Sequence, residues 1–352
     1  MNFRKLLLIA AAIVAAAACK KDDEETLTPA LNGLLTYYMP DFVEPGKVYK
    51  MTPKGVKHPE GKELGYYWKV SPSMSVYDTT RYLNGLNKYG EASDGSFTHV
   101  FPDSLKTFTV YCYAYATGYS GLSASRYAIT VKGGYNGSIN GLERSLTDLS
   151  YDGDLYFYDK VGDQTWTLRN LATKGSGAAY GNFGIMSDVF GRYYSYDEAV
   201  AACAALPNDG TYTWALPTED DWIALGKHLG STADRFEPIP GIAAKLMADA
   251  TFNDEKMWEY WPEVGKITNQ SKLSFMPTGY ANLGDLAEGG TYPDAKFNGI
   301  YEYAAYWTAT EVEGEPENAY YRYIVCDQGD FFSAKGNKKS FGASVRCIQK
   351  TN

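Results

Sequence analysis

The sequence predicts two compact bodies in series: an amino-terminal all-β sandwich followed by a carboxy-terminal α+β domain. Three observations carry this. Between residues 35 and 132 the chain is a succession of strand-forming runs separated by turn-rich segments. A glycine-rich stretch, residues 133–145, then interrupts the pattern. Beyond it, helix-start signals stand between turn-and-strand segments, which is the pattern of an α+β domain. The chain has 352 residues, 45% hydrophobic and 21% charged, enough for two domains of ordinary size with real cores. Its net charge of −9 argues against nucleic acid, whose phosphates require a basic face.

Residues 1–18 read as a secretory signal: Arg4 and Lys5, an uncharged run from Leu6 to Ala18, and small residues directly before Cys19. The run is short and alanine-rich for a membrane span, which takes about 20 predominantly apolar residues. Ala16-Ala17-Ala18-Cys19 resembles the lipobox of bacterial lipoproteins, which implies cleavage before Cys19 and acylation of that residue. Residues 19–34 form a flexible tether. Its Lys20-Lys21-Asp22-Asp23-Glu24-Glu25 resembles the export signal of Bacteroidetes surface lipoproteins. The resemblance implies an outer-membrane protein, anchored by lipid and facing the cell exterior. Several acyl chains on one residue hold firmly, since each buried methylene contributes about 0.8 kcal/mol.

In the first body, Leu64–Val70, Ser96–Phe101, Thr107–Ala116 and Arg126–Val131 are rich in β-branched and aromatic residues and read as strands. Tyr67-Trp68, Phe97-Thr98-His99-Val100-Phe101, Phe108-Thr109-Val110 and Ala114-Tyr115-Ala116 resemble, in that order, the strands of a PKD-type immunoglobulin-like domain. Trp68 reads as a core residue of it, and Cys112 as a small buried hydrophobe. Residues 133–145 read as a hinge or linker.

In the second body, residues 146–352, Asp152-Gly153-Asp154 and Val161-Gly162-Asp163 are turns entering strands. Ser195 with Glu198 three residues on is a capping box, so a helix runs from there to Leu206 and stops at Pro207. Thr218 with Asp221 opens a second helix that ends at Gly230. Gly241–Leu246 is a candidate third. Later come Phe275-Met276-Pro277-Thr278-Gly279-Tyr280, Trp307-Thr308-Ala309-Thr310-Glu311, Tyr321-Arg322 and Gly342-Ala343-Ser344-Val345-Arg346-Cys347. Taken in order with Leu216-Pro217-Thr218 and Leu168-Arg169-Asn170-Leu171, these resemble the Fibrobacter succinogenes major paralogous domain over nearly all of residues 146–349. That family is similar to C-type-lectin-like and formylglycine-generating-enzyme-like folds. The resemblance implies a disulfide between Cys203 and Cys347. The competing arrangement pairs Cys326 with Cys347 and leaves Cys203 free.

Nothing in the sequence assembles a catalytic set. It carries no G-x-S-x-G, H-E-x-x-H, C-x-x-C or phosphate-loop pattern and has only 3 histidines. His228 reads as a helix cap. Asp220 and Glu311, a conceivable glycosidase pair, sit inside framework motifs. Glu315-Pro316-Glu317-Asn318 approaches a calcium-lectin loop without the W-N-D that should follow. The expectation is therefore a non-enzyme without metal or cofactor. It would be a lectin-like module binding a glycan or surface ligand, or alternatively an adhesin or envelope-assembly subunit contacting protein. Trp258, Tyr260, Trp261, Tyr292, Tyr301 and Tyr303 lie outside the framework motifs and are the candidate ligand-binding aromatics, because flat aromatic faces suit sugar rings and protein hot spots.

Overall fold

A computed structural model describes residues 28–71, 94–208, 210–258 and 264–351. Strand is the predominant regular structure, and helices and loops supply much of the buried core alongside it. In the first body the strands are β1 (Asn32–Thr36), β2 (Phe42–Val43), β3 (Val48–Met51), β4 (Lys54–Lys57), β5 (Gly65–Ser71), β6 (Phe97–Val100), β7 (Thr107–Tyr115) and β8 (Leu122–Thr130). A four-stranded sheet runs β2-β8-β7-β5, with β2 parallel to β8 and the other pairs antiparallel. Pairs β1-β4 and β3-β6 complete the body. On β7 the period of two sends Phe108, Val110, Cys112 and Ala114 inward, where they share one core with Trp68, Phe97 and Phe101. The Trp68 indole N–H donates to the Gly95 carbonyl at 2.9 Å, so its polar edge is satisfied inside. Burial pushes the Cys112 thiol up to about 12, which keeps it an inert core thiol.

The glycine-rich stretch 133–145 is laid against the second body. It contains β9 (Ile139–Asn140), which pairs with β16 (Thr251–Phe252), itself paired with β17 (Glu255–Lys256). Tyr135 stands edge-on to Phe157 and lies beneath the guanidinium groups of Arg144 and Arg169, 5.6 and 5.5 Å from its ring centre. These side chains give the segment buried contacts that its glycine count conceals. The two bodies also meet directly: Phe42 packs edge-on against Tyr180 and Phe183, and the Asn253 amide donates to the Thr130 carbonyl at 2.9 Å.

In the second body, β10 (Asp148–Tyr151), β11 (Asp154–Val161), β12 (Gln164–Thr167), β24 (Ile348–Thr351) and β15 (Tyr212–Ala215) form one sheet in that order. A second sheet is β20 (Tyr303–Val312), β21 (Glu315–Val325) and β22 (Phe332–Asn337). A third is β19 (Lys296–Asn298), β18 (Tyr280–Asn282) and β23 (Phe341–Gly342). The short pair β13 (Ala178–Ala179) and β14 (Arg192–Tyr193) flanks helix α1 (Ile185–Phe190). Helix α2 (Tyr196–Ala204) begins at the Ser195/Glu198 capping box, and α3 (Glu219–His228) at the Thr218/Asp221 box; α4 (Ala243–Leu246) is one short turn. Each such cap is worth about 1 kcal/mol. Cys203, in the last turn of α2, is bonded to Cys347 beside β24, a separation of 144 residues. That bond commits the Cys347 sulfur and excludes the Cys326–Cys347 pairing.

Candidate functional site

The aromatics singled out in the sequence do not converge. Trp258 is 2% exposed, packed among Trp222, Phe275 and their neighbours, and its indole N–H donates to the Phe275 carbonyl at 2.7 Å. Tyr292 is 5% exposed; its hydroxyl donates to the Glu198 carboxylate at 2.8 Å and so braces the capping box of α2. Burial pushes that hydroxyl up to about 12. Neither ring offers an open face, so both serve packing rather than contact with a ligand. Tyr301, with φ of +66°, is half-buried in a third cluster beside Met257 and Met276. Tyr260, Trp261 and Cys19 lie outside the described residues. Tyr303 alone joins an aromatic surface.

That surface is built by strand parity. On β20, Tyr303, Ala305 and Trp307 share one face, while Ala304 and Tyr306 point into the core behind it. Register sets Ala305 opposite Tyr323 and Trp307 opposite Tyr321, then Tyr323 opposite Phe332 and Tyr321 opposite Ala334. The rings therefore step across the sheet: Tyr303 stacks on Tyr323 at 4.9 Å, and Tyr323 on Phe332 at 5.2 Å. Tyr280 and Phe341, from the neighbouring sheet, close the row, with Tyr321 and Phe341 centred 4.4 Å apart and Tyr280 at 5.5 Å from both Phe341 and Tyr303. Ala305 and Ala334 leave room for the larger rings between them. Tyr280, Tyr303, Tyr321, Tyr323, Phe332 and Phe341 are all half-buried, so each keeps part of its surface in water. Trp307 is the sealed floor, its indole N–H donating to the Tyr194 carbonyl at 2.8 Å.

The hydroxyls of Tyr303 and Tyr321 are neutral hydrogen-bonding groups. Burial, then the neighbouring Tyr321, holds the Tyr303 phenol far above the ordinary tyrosine range, and burial likewise raises Tyr321. The Tyr303 hydroxyl donates to that of Tyr321 at 3.4 Å. A half-exposed row of rings edged by hydroxyls can stack on an apolar ligand face and bond to its polar rim.

The residues weighed for catalysis are occupied otherwise. Asp220 is exposed and paired with Arg235 at 3.0 Å, and Glu311 is exposed and paired with Lys338 at 2.7 Å. His228 is exposed at the end of α3. Glu315 binds Lys335 at 2.7 Å and accepts from the Asn318 amide at 2.9 Å. Among the described residues no cluster of three or more histidine, cysteine or carboxylate groups could hold a metal ion. The remaining charged motif residues are framework. Arg322 and Glu219 form a fully buried pair, with Arg322 also donating to the Glu237 carbonyl at 2.7 Å and Glu219 accepting from the Phe236 amide at 2.9 Å. Arg346, buried between Phe275 and Tyr306, donates to the Asn170 side chain at 2.8 Å. No helix among the described residues is long and apolar enough to cross a membrane.

Compared with known proteins, residues 160–349 match the family model of the Fibrobacter succinogenes major domain. No curated protein matches the chain. Among solved structures it is similar to a superoxide reductase (neelaredoxin) from Ignicoccus hospitalis, at 13% identity and a TM-score of 0.20, over 29% of this chain and 82% of that one. An overlap that slight carries no argument about fold or chemistry.

Proposed function

We propose a binding role for this chain, which belongs to the Fibrobacter succinogenes major domain family. It is a non-catalytic lipoprotein of the outer cell surface, anchored through Cys19, whose carboxy-terminal domain presents a lectin-like site to glycans. The observation that carries this is the half-exposed row Tyr280, Tyr303, Tyr321, Tyr323, Phe332 and Phe341. The lectin-like reading is supported by the bond from α2 to the last strand region, which ties a long loop-rich segment to the sheet. The immunoglobulin-like, PKD-type reading of the first domain is supported by the buried Trp68 and the alternation on β7. The acidic stretch after Cys19 supports display outside the cell.

The test is glycan-array binding by the purified chain, followed by calorimetry on the strongest neutral glycan. Tyr323→Ala and Phe332→Ala should each weaken that binding about tenfold, equivalent to about 1.4 kcal/mol and within the range for one lost aromatic contact. Affinity unchanged in both variants rejects the row as the site. Absence of glycan binding together with a stably co-purifying protein favours the adhesin or envelope-assembly role instead.

A further inference from the structure

The first domain carries a second aromatic face, on the side of its four-stranded sheet away from the core. Because Phe108, Val110, Cys112 and Ala114 point inward, Thr109, Tyr111, Tyr113 and Tyr115 of β7 point outward. Register arranges them in rows with the flanking strands: Tyr67, Tyr113 and Ser123 lie abreast, then Lys69, Tyr111 and Ser125. Tyr67 and Tyr113 are centred 5.0 Å apart. A Cβ on Gly121 would collide with the Tyr113 hydroxyl, and one on Gly65 would collide with the Tyr115 ring. Glycine at those two places is what lets the rings lie over their neighbours instead of standing off the sheet.

The rows enclose a groove of about 240 Å³ lined by Tyr67, Lys69, Ser71, Tyr111, Tyr113 and Ser123. That is smaller than the roughly 300–1,000 Å³ of a drug-sized pocket, so it suits one ring of a chain that continues past it. Its chemistry is selective. Aromatic faces stand beside serine hydroxyls, and among the described residues Lys69 is the one cation lining it and no carboxylate does. In a chain of net charge −9 that is a local reversal of the prevailing sign. We propose that this groove is a second carbohydrate site, one that takes a sugar bearing a carboxylate: the pyranose face lies on Tyr111 and Tyr113, and the carboxylate reaches Lys69. The site stands on a different domain from the Tyr303–Phe332 row and does not depend on the function proposed for that row.

Calorimetry on the full chain with trigalacturonate and with the uncharged trigalactose separates the two contributions. The acidic trisaccharide should bind two- to fivefold tighter at low salt, roughly the strength of one exposed ion pair, and the preference should fade as salt is raised. Lys69→Gln should equalise the two probes, whereas Tyr111→Ala, at a position 42% exposed, should weaken both by about tenfold. Ser123→Trp fills the groove from an exposed position without removing any packing and should abolish binding of both. Tyr323→Ala in the other domain should change neither. The proposal is overturned if trigalacturonate does not bind the unmodified chain, if Lys69→Gln keeps the preference, or if Tyr323→Ala rather than Ser123→Trp removes binding.

Discussion

Cutting the Cys203–Cys347 bond should destabilise the carboxy-terminal domain more than any single packing change. The bond closes 144 residues. For a loop of that length the chain-entropy relation gives about 5 kcal/mol at 25 °C, an upper bound because a denatured chain keeps residual structure. In a domain of about 150–250 residues each kcal/mol moves the melting temperature about 2–4 °C, so the full effect is about 10–20 °C. Tryptophan fluorescence reports the right domain: of the 7 tryptophans, all but Trp68 lie in the second. Two perturbations isolate the cause. Reduction of the unmodified protein removes the cross-link and keeps both sulfurs. Cys203→Ala/Cys347→Ala also removes atoms that are fully buried among Trp214, Leu216 and Val345, so it should melt lower still by the cost of that packing. A drop below about 2 °C on complete reduction would refute the reasoning, since loop closure would then contribute almost nothing.

Two further outcomes are expected. Burial alone depresses His99 below the ordinary histidine range, and its Nε2 has no hydrogen-bond partner among the described residues. The unfolded chain then takes up this proton first as pH falls, so the contribution is complete above about 6.5 and is lost on acidification through the lowered folded value. His99→Phe keeps the ring contacts with Phe97 and Phe101 and should flatten that part of the stability profile between pH 7.5 and 5.5; parallel profiles would contradict it. For the anchor, Cys19→Ala should abolish incorporation of labelled fatty acid and move the protein from the membrane fraction to the soluble one, and undiminished labelling would exclude Cys19 as the acylated residue.

What is legible in the sequence is local. The caps of α2 and α3 are decided within four residues, Ser195 with Glu198 and Thr218 with Asp221, and both helices begin there. Strand β7 is legible for the same reason, since its alternation needs no distant partner. Helix α1 carries no side-chain cap, and no local signal announces it. The exposure of aromatic rings is not legible, because it depends on partners far along the chain. Tyr292 is buried by a bond to Glu198, 94 residues away, and Trp307 by one to Tyr194, 113 residues away. Tyr321 reads as framework in the Tyr321-Arg322 motif, although that motif contains the clue.

That clue is the arginine between Tyr321 and Tyr323. Arg322 is fully buried, and a guanidinium can be buried at tolerable cost only where carboxylate and carbonyl oxygens meet most of its donors. Glu219, Glu237 and Phe331 supply those oxygens on one side of β21. With a period of two, fixing Arg322 on that side forces Tyr321 and Tyr323 to the other, and a slip of one residue would bury both rings and expose the charge. The same pairing that satisfies the buried guanidinium therefore selects the face on which the aromatic row is built. A charged residue flanked by aromatics in a strand reads in two directions at once: inward to its buried partner, and outward to the face its neighbours must occupy.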